Sequence, residues 1–578
     1  MEACRSKTNG SVRLLKPDTL VFLLLAAWWV VNLLQAAFTG IANDEAYYWY
    51  FAQHLDWGYF DHPPMVALLV WLSSFMPGAL GIRFIATLLQ PIYLLIFWHL
   101  IKPADATRHD ALLYVLLCFS LPLLQLYGFL AVPDAPLMMS TVLFLWAFKR
   151  FDNKSSLGNA LLMGLTVALL GYSKYHGALV VLLVLLARPK LFCRWQLYVA
   201  GLTALMLMVP HLWWQYSHDW VSLRYHLAGR NAWGYEASFT LEYLGILLLL
   251  INPLWICHLW RGIRKPSDGE EPLMRRASLL LCFGFWGFFL LATLRGRVQP
   301  QWLLPTALPV VALVFHAARR SRYVYTAAIV CAVLFCAVRI IAAVNPLHFK
   351  GELWEGKEPY SKIAELADGR PVQFIGCYAV AAKYAYYTGN PTHCTSYYYA
   401  RSSQWQYDTA DRTFAGREVL VADFGNINGE EQDIGNGTLH YLFVKDFLPM
   451  RELKVENLEP LDLRLSDNQP DIMLPLAVTN PYPYDICSSE ERPLKVALFF
   501  QWSQNTSAEA SAMLTDTLRA NSTTVIMPSL PFHHAIPDGE QVCGFVIGYV
   551  AYSPAANSRI GTATVTHNGG DIFINSNL

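Results

Sequence analysis

The sequence predicts a polytopic α-helical membrane protein that carries a C-terminal mixed α/β domain outside the membrane. Apolar runs succeed one another from about residue 18 to 344, and the remainder reads as ordinary soluble protein. Only 15% of the 578 residues are charged, against roughly 25% in a soluble chain. Lys and Arg also crowd into alternate connections between the apolar runs, the bias that marks cytoplasmic loops.

A bilayer core about 30 Å thick takes roughly 20 apolar residues as a helix. About 11 stretches read as spans: 18–38, 82–101, 111–131, 136–150, 157–172, 174–187, 196–216, 240–260, 277–294, 302–318 and 323–344. The first is longer than the apolar core of a signal peptide, lacks a small-x-small cleavage pattern and precedes further spans, so it is expected to be a retained anchor. With the N-terminus in the cytoplasm, the inner connections hold Lys102 and Arg108, then Lys149, Arg150 and Lys154, then Arg188, Lys190 and Arg194. Arg261, Arg264, Lys265, Arg275 and Arg276 follow, and finally Arg319, Arg320 and Arg322. The outer connections are poor in cations: 39–81 has none, and neither has 132–135. One missed span would reverse this alternation midway. An odd count places residues 345–578 on the extracytoplasmic side, giving a multi-span domain over 1–344 and a soluble domain over 345–578.

Within the soluble part, 371–376, 419–422, 494–500 and 542–547 read as strands, and 378–387 as a helix. A mostly β module is expected near 480–578, with a polar tail after 556 that reads as an edge hairpin or a frayed end. Cys377, Cys394, Cys487 and Cys543 suffice for two disulfides, and four free thiols fit equally. The apolar stretch 64–76 is too short to span and is expected to lie at the interface.

Polar groups near the spans gather on the outer side. Asp44 and Glu45 follow the first span, and Asp61-His62-Pro63-Pro64 lies in the same loop. Asp134 sits between Pro133 and Ala135-Pro136, Lys174 between two short spans, and Arg224 and Arg230 in a later outer loop. Ionisable groups at a span end are costly unless they serve a purpose. Each also has an ordinary structural reading. Asp44-Glu45 suits a helix N-terminus, Asp134 an Asx-turn, Lys174 a snorkelling side chain, and Arg224 and Arg230 solvated loop charges. Their convergence on one face favours a site for an anionic substrate at the interface.

Several of these segments resemble one family: Asp44-Glu45-Ala46-Tyr47-Tyr48-Trp49, Gly58-Tyr59-Phe60-Asp61-His62-Pro63-Pro64-Met65, Pro133-Asp134-Ala135-Pro136, Ser173-Lys174-Tyr175 and Gln299-Pro300-Gln301-Trp302-Leu303-Leu304-Pro305. They are similar to bacterial integral-membrane glycosyltransferases of the GT-C fold, relatives of protein O-mannosyltransferases and of the aminoarabinose transferase that modifies lipid A. The segments around 378–387 and Arg401-Ser402-Ser403-Gln404 look like the extracytoplasmic domain of such enzymes. Gln301 departs from a His expected there and is assigned no role.

The resemblance implies an inverting transfer of a sugar from a polyprenyl-phosphate donor to a lipid, glycan or protein acceptor, at the outer face of the bacterial inner membrane. Asp44 then takes the place of the general base, with Glu45 as a helper or a structural neighbour and Asp134 as a second acid that orients Asp44 or binds sugar hydroxyls. His62, supported by Asp61, and Lys174 face the lipid phosphate, with Arg224 and Arg230 behind them. The rings of Tyr47, Tyr48 and Tyr59 suit sugar packing. No His-x-x-x-His or Cys-x-x-Cys spacing is present, so neither a metal nor another cofactor is expected. A net charge of zero argues against nucleic acid, which needs a basic face. A transporter would show inverted repeats or broken helices at the midplane, and a receptor would place its site in the soluble domain. A transferase of phosphorylated headgroups would carry a metal-binding cluster there.

Overall fold

The computed structural model describes residues 15–229, 235–397, 401–425, 427–465, 471–503, 506–532, 536–552, 561–568 and 571–576. The first half is helical: α1 Pro17–Phe38, α2 Asn43–Gln53, α3 Met65–Ser73, α4 Leu80–Ile101, α5 Arg108–Phe119, α6 Pro122–Leu126, α7 Asp134–Asn153, α8 Leu157–Ser173 and α9 Gly177–Leu186. There follow α10 Trp195–Ser217, α11 Val221–Arg224, α12 Ala237–Ile251, α13 Ile256–Arg264, α14 Pro272–Ala292, α15 Ala307–Ala318 and α16 Arg322–Val344.

Every apolar stretch expected to span is helical, but the lengths differ from the expectation. Among the described residues, six helices are long and apolar enough to cross a bilayer, or seven when the pair Ala237–Ile251 and Pro253–Arg264, bent by 60°, is taken as one span. The four other expected spans fall short for visible reasons. The stretch 111–131 breaks before Pro122, which has no N–H to continue a helix from α5 into α6. The helix α7 is long enough but ends in Lys149, Arg150 and Asp152. The helices α8 and α9 are 17 and 10 residues long, so neither alone covers the roughly 30 Å core. Eleven crossings are therefore not carried by helix length alone. The molecule is a multi-pass membrane protein. Its α8 and α10 pack tightly because Gly164 lets the backbones meet: a Cβ there would stand 2.5 Å from the Ala200 carbonyl oxygen. As expected of an interfacial segment, α3 has only nine residues.

Beyond α16 come α17 Glu358–Ala367, β1 Val372–Ile375, α18 Tyr378–Thr388, β2 Thr392–Thr395, β3 Val419–Asp423, β4 Glu430–Asp433 and β5 Thr438–Val444. They form a five-stranded sheet in the order β2-β1-β3-β5-β4, parallel through β1 and antiparallel beyond β3. The central strands β1 and β3 are buried throughout, which is why they read as short unbroken apolar runs.

The β module starts earlier than expected, at β6 Lys454–Asn457, followed by β7 Leu461–Leu465, β8 Asp471–Met473, β9 Leu476–Asn480 and β10 Leu494–Ser503. It continues through β11 Thr506–Met513, β12 Ser522–Ile526, β13 Ser529–Pro531, β14 Gly539–Tyr549, β15 Gly561–Asn568 and β16 Asp571–Ser576. The polar tail is not an edge: β16 is paired on both sides, with β15 and with β7. Cys377, Cys394 and Cys487 are free thiols.

Three hydrophobic clusters organise the chain. One fills the helical half, one the β module. The third joins α2, α3 and the 129–135 turn to α18 and the five-stranded sheet. That shared core fuses the first outer loop to the C-terminal domain.

Candidate active site

The first loop folds back as α2, and its N-terminal turn carries Asp44 and Glu45. The two neighbours meet opposite fates. Asp44 is exposed. Glu45 is fully buried and accepts from Arg83 through both oxygens, Nε to Oε1 at 2.7 Å and Nη2 to Oε2 at 2.5 Å. It also accepts from the backbone N–H of Ala42 at 3.0 Å and of Ala131 at 2.9 Å. Arg83 spends its remaining donors on the end of α1, giving to the carbonyls of Ala36 at 2.9 Å, Thr39 at 3.0 Å and Gly40 at 2.6 Å. Of the two expectations for Glu45, helper or structural neighbour, these contacts fit the second. Glu45 caps the helix that presents Asp44 and ties that helix to the 131–134 turn.

On the other side of α2 lies the connection from α16. The Asn43 N–H donates to Glu352 Oε2 at 2.7 Å, and the Gly40 N–H to the Leu353 carbonyl at 2.7 Å. Gly40 is required by this approach: a Cβ there would stand 2.8 Å from the Glu355 carbonyl oxygen. The charges of Asp134, Asp44 and Glu352 all reach the Tyr127 phenol. Tyr127 in turn donates to Gln301 Oε1 at 3.1 Å, so the segment left without a role touches the same tyrosine.

Asp134 opens α7 and Lys174 ends α8. The ammonium of Lys174 lies 2.8 Å from each oxygen of Asp134, and the residues are 6% and 2% exposed. Lys174 was expected at a phosphate and Asp134 beside Asp44. The structure makes them partners of each other, so the carboxylate holds the cation in place and halves its local field.

Asp61 is 2% exposed and its carboxylate pairs with Arg401 of the C-terminal domain. It was expected to hold the imidazole of its neighbour His62, and its ion pair with Arg401 runs across the domain seam. The Arg401 guanidinium lies 5.2 Å from the ring centroids of both Tyr225 and Tyr378, with Nη1 3.3 Å from the Tyr378 hydroxyl. Burial disfavours its charge, but Asp61 and the tyrosines outweigh it and hold the group well above the usual arginine range. The phenol of Tyr378 is pushed up to about 12, by burial first, with Asp44 and Asp61 adding to it against Arg401. The His62 ring stands 5.5 Å from Tyr48 and 6.3 Å from His226, and His226 Nε2 donates to the Asp61 carbonyl at 2.8 Å.

The expected sugar-packing rings are mostly walls. Tyr59 is 1% exposed, stacks on Phe51 at 4.2 Å, and gives its hydroxyl to the Phe51 and His54 carbonyls at 3.1 Å. Tyr47 accepts from the Gln404 N–H at 2.5 Å. The Phe60 N–H donates to Gln404 Oε1 at 2.8 Å, and Trp405 stacks on Tyr50 at 3.8 Å. Those contacts seat the 401–408 segment on α2. The phenol of Tyr48 is raised well above its usual range by burial, with Asp44 next and Asp61 after it, so its ring lies between the two acids. Arg224 is exposed on α11, where its charge reaches Tyr407. Arg230 lies outside the described residues. Among the described residues no group of three or more His, Cys, Asp and Glu could hold a metal ion.

Arg401, Arg83, Glu352 and Tyr127 were missed as site residues. Arg401 sat inside one of the resembling segments, and Arg83 was the one cation at the edge of a loop otherwise without Lys or Arg; both were readable signals. Glu352 and Tyr127 carry no local pattern.

The family profile described as dolichyl-phosphate-mannose-protein mannosyltransferase matches residues 61–214. The chain is 26% identical over 307 residues to the lipid A galacturonosyltransferase RgtD of Rhizobium johnstonii, covering 48% of this chain and 63% of RgtD. It is 28% identical over 207 residues to the lipopolysaccharide core galacturonosyltransferase RgtA of the same organism, covering 33% of this chain and 41% of RgtA. The matches therefore span less than two thirds of either curated relative. Among solved structures, ArnT from Cupriavidus metallidurans in the apo state superposes with a TM-score of 0.52 at 12% identity, over 73% of this chain and 98% of ArnT.

Proposed function

We propose, for a chain that has the GT-C membrane-glycosyltransferase fold, that it moves a sugar from a polyprenyl-phosphate donor to an acceptor at the outer face of the bacterial inner membrane. The N-terminus then lies in the cytoplasm and residues 345–578 in the periplasm, as the alternation of Lys and Arg supports. The observation that carries the reading is the contrast between Asp44 and its surroundings. Asp44 is an exposed carboxylate on a rigidly held helix end, whereas Glu45, Asp61 and Asp134 are each buried.

In this reading the acceptor oxygen attacks the anomeric carbon as the bond to the donor phosphate breaks, inverting the centre. Asp44 takes the acceptor proton, a contribution of about 10²–10⁴-fold for such a group. Lys174, held by Asp134, and His62 face the phosphate that leaves with the polyprenol, and Arg224 lies further out. A cation about 4 Å from an anion gains about 4 kcal/mol at an effective dielectric near 20. The ion pair with Asp134 keeps Lys174 positioned before the phosphate arrives. Of the acceptors considered, the names of the two relatives favour lipid A or the lipopolysaccharide core, and a galacturonosyl group as the sugar. No cofactor is assigned.

The test is transfer by the purified full chain. Radiolabelled polyprenyl-phosphate galacturonic acid is incubated with lipid A and, separately, with lipopolysaccharide core. Label is expected on one of them. If no polyprenyl-phosphate sugar delivers label to any lipid, glycan or protein acceptor, the reading fails.

A further inference from the structure

Two arginines face one ring. The guanidinium carbons of Arg83 and Arg339 each lie 5.7 Å from the centroid of Phe129. Arg83 fills its side-on fork, Nε and Nη2 both giving to the carboxylate of Glu45. Arg339, on α16, is 7% exposed and donates through Nη1 to Gln125 Oε1 at 2.9 Å. Its Nε and Nη2 have no hydrogen-bond partner, and among the described residues no carboxylate pairs with it. The fork that Glu45 fills in one arginine is vacant of protein in the other.

The surroundings narrow what belongs there. Arg339 lies five residues before the end of α16, about 7.5 Å at 1.5 Å per residue, near one end of the span. The same helix turns Val333, Leu334, Val338, Ile340 and Val344 outward, all exposed, as a lipid-facing surface does. A buried cation without a counter-charge at this depth is costly, and such residues mark functional sites. The paired N–H groups of a guanidinium edge match two oxygens of one phosphate. Both donors are enclosed in this structure, so a phosphate that pairs with them displaces the side chains that cover them.

We propose that the Nε–Nη2 edge of Arg339 binds the phosphate of a membrane lipid whose chains lie along the outward face of α16. Two sources carry this chemistry, a phospholipid and a polyprenyl phosphate, and the site stands whether or not the chain is a transferase.

Full-length protein in detergent is titrated by native mass spectrometry with phosphatidylglycerol, with polyprenyl phosphate, with phosphate-free polyprenol and with inorganic phosphate. Arg339→Gln is expected to weaken at least one phosphate-bearing lipid about tenfold or more, as loss of a charge-assisted pair of bonds implies, and to leave polyprenol unchanged. Whichever lipid responds identifies the source. Gln125→Glu supplies the missing carboxylate from within; it retains the fold and is expected to weaken the same lipid. Unchanged affinity for both lipids in both variants overturns the proposal. So does competition by millimolar inorganic phosphate, which would make this a site for soluble anions.

Discussion

Two ion pairs hold the first outer loop, and they differ in what stands on the other side. Glu45 and Arg83 are both fully buried and lie entirely within the helical half, where they join α1, α2, α4 and the 131–134 turn. Asp61 and Arg401 cross from the loop to the C-terminal domain, and the arginine side chain remains 35% exposed, between two tyrosines. The first pair is a frame, wanted whether or not substrate is present. The second is a seam at the edge of the site, where a partly open cation can be shared with an incoming anion. Asp44 stands exposed in the first turn of α2, and the chemistry is assigned to it for that exposure.

The largest expected effect comes from breaking the frame. Glu45→Gln leaves a wholly enclosed guanidinium uncompensated, which costs about 3–5 kcal/mol, and thermal unfolding in detergent should show a loss of that order. Gly40→Ala comes next. Its Cβ meets the backbone of 353–355 rather than a flexible side chain, so the connection must move, at about 1–3 kcal/mol for such overpacking. Asp61→Asn should cost less stability than either, under about 2 kcal/mol, because Arg401 keeps its tyrosines and some water. Its transfer rate should nevertheless fall tenfold or more. Equal losses of stability in Glu45→Gln and Asp61→Asn would erase the distinction between frame and seam.

The smallest effect concerns pH. Tyr378 holds its proton up to about 12 in the folded protein, against about 10 in an unfolded chain. The folded state therefore binds the proton more tightly, so this contribution is complete below pH 10 and is lost as pH rises towards 12. The melting temperature of the wild type should fall more steeply between pH 10 and 12 than that of Tyr378→Phe.

Much of the fold was legible because hydrophobic periodicity and charge placement are local. Each apolar stretch became helix, and the strands expected at 371–376, 419–422, 494–500 and 542–547 coincide with β1, β3, β10 and β14. The tail after 556 was misread because its alternating Thr residues look solvated, while pairing with β7 is settled about a hundred residues away. The site was legible as a set and not as a circuit. Asp44, Asp61, Asp134 and Lys174 were named from type and position. The partners were not, since Asp134 and Lys174 lie 40 residues apart and Asp61 and Arg401 lie 340 apart. Adjacency in the sequence suggested His62 for Asp61, and could not show that its carboxylate also pairs with Arg401 of the C-terminal domain.

The account rests on Asp44 as the base, and one measurement meets it head on. Asp44→Asn, purified and shown by its melting temperature to be folded, is assayed for label transfer to a hydroxyl acceptor beside the wild type. The rate should fall by about 10²–10⁴-fold with donor binding retained. A folded variant that transfers at the wild-type rate would contradict the account.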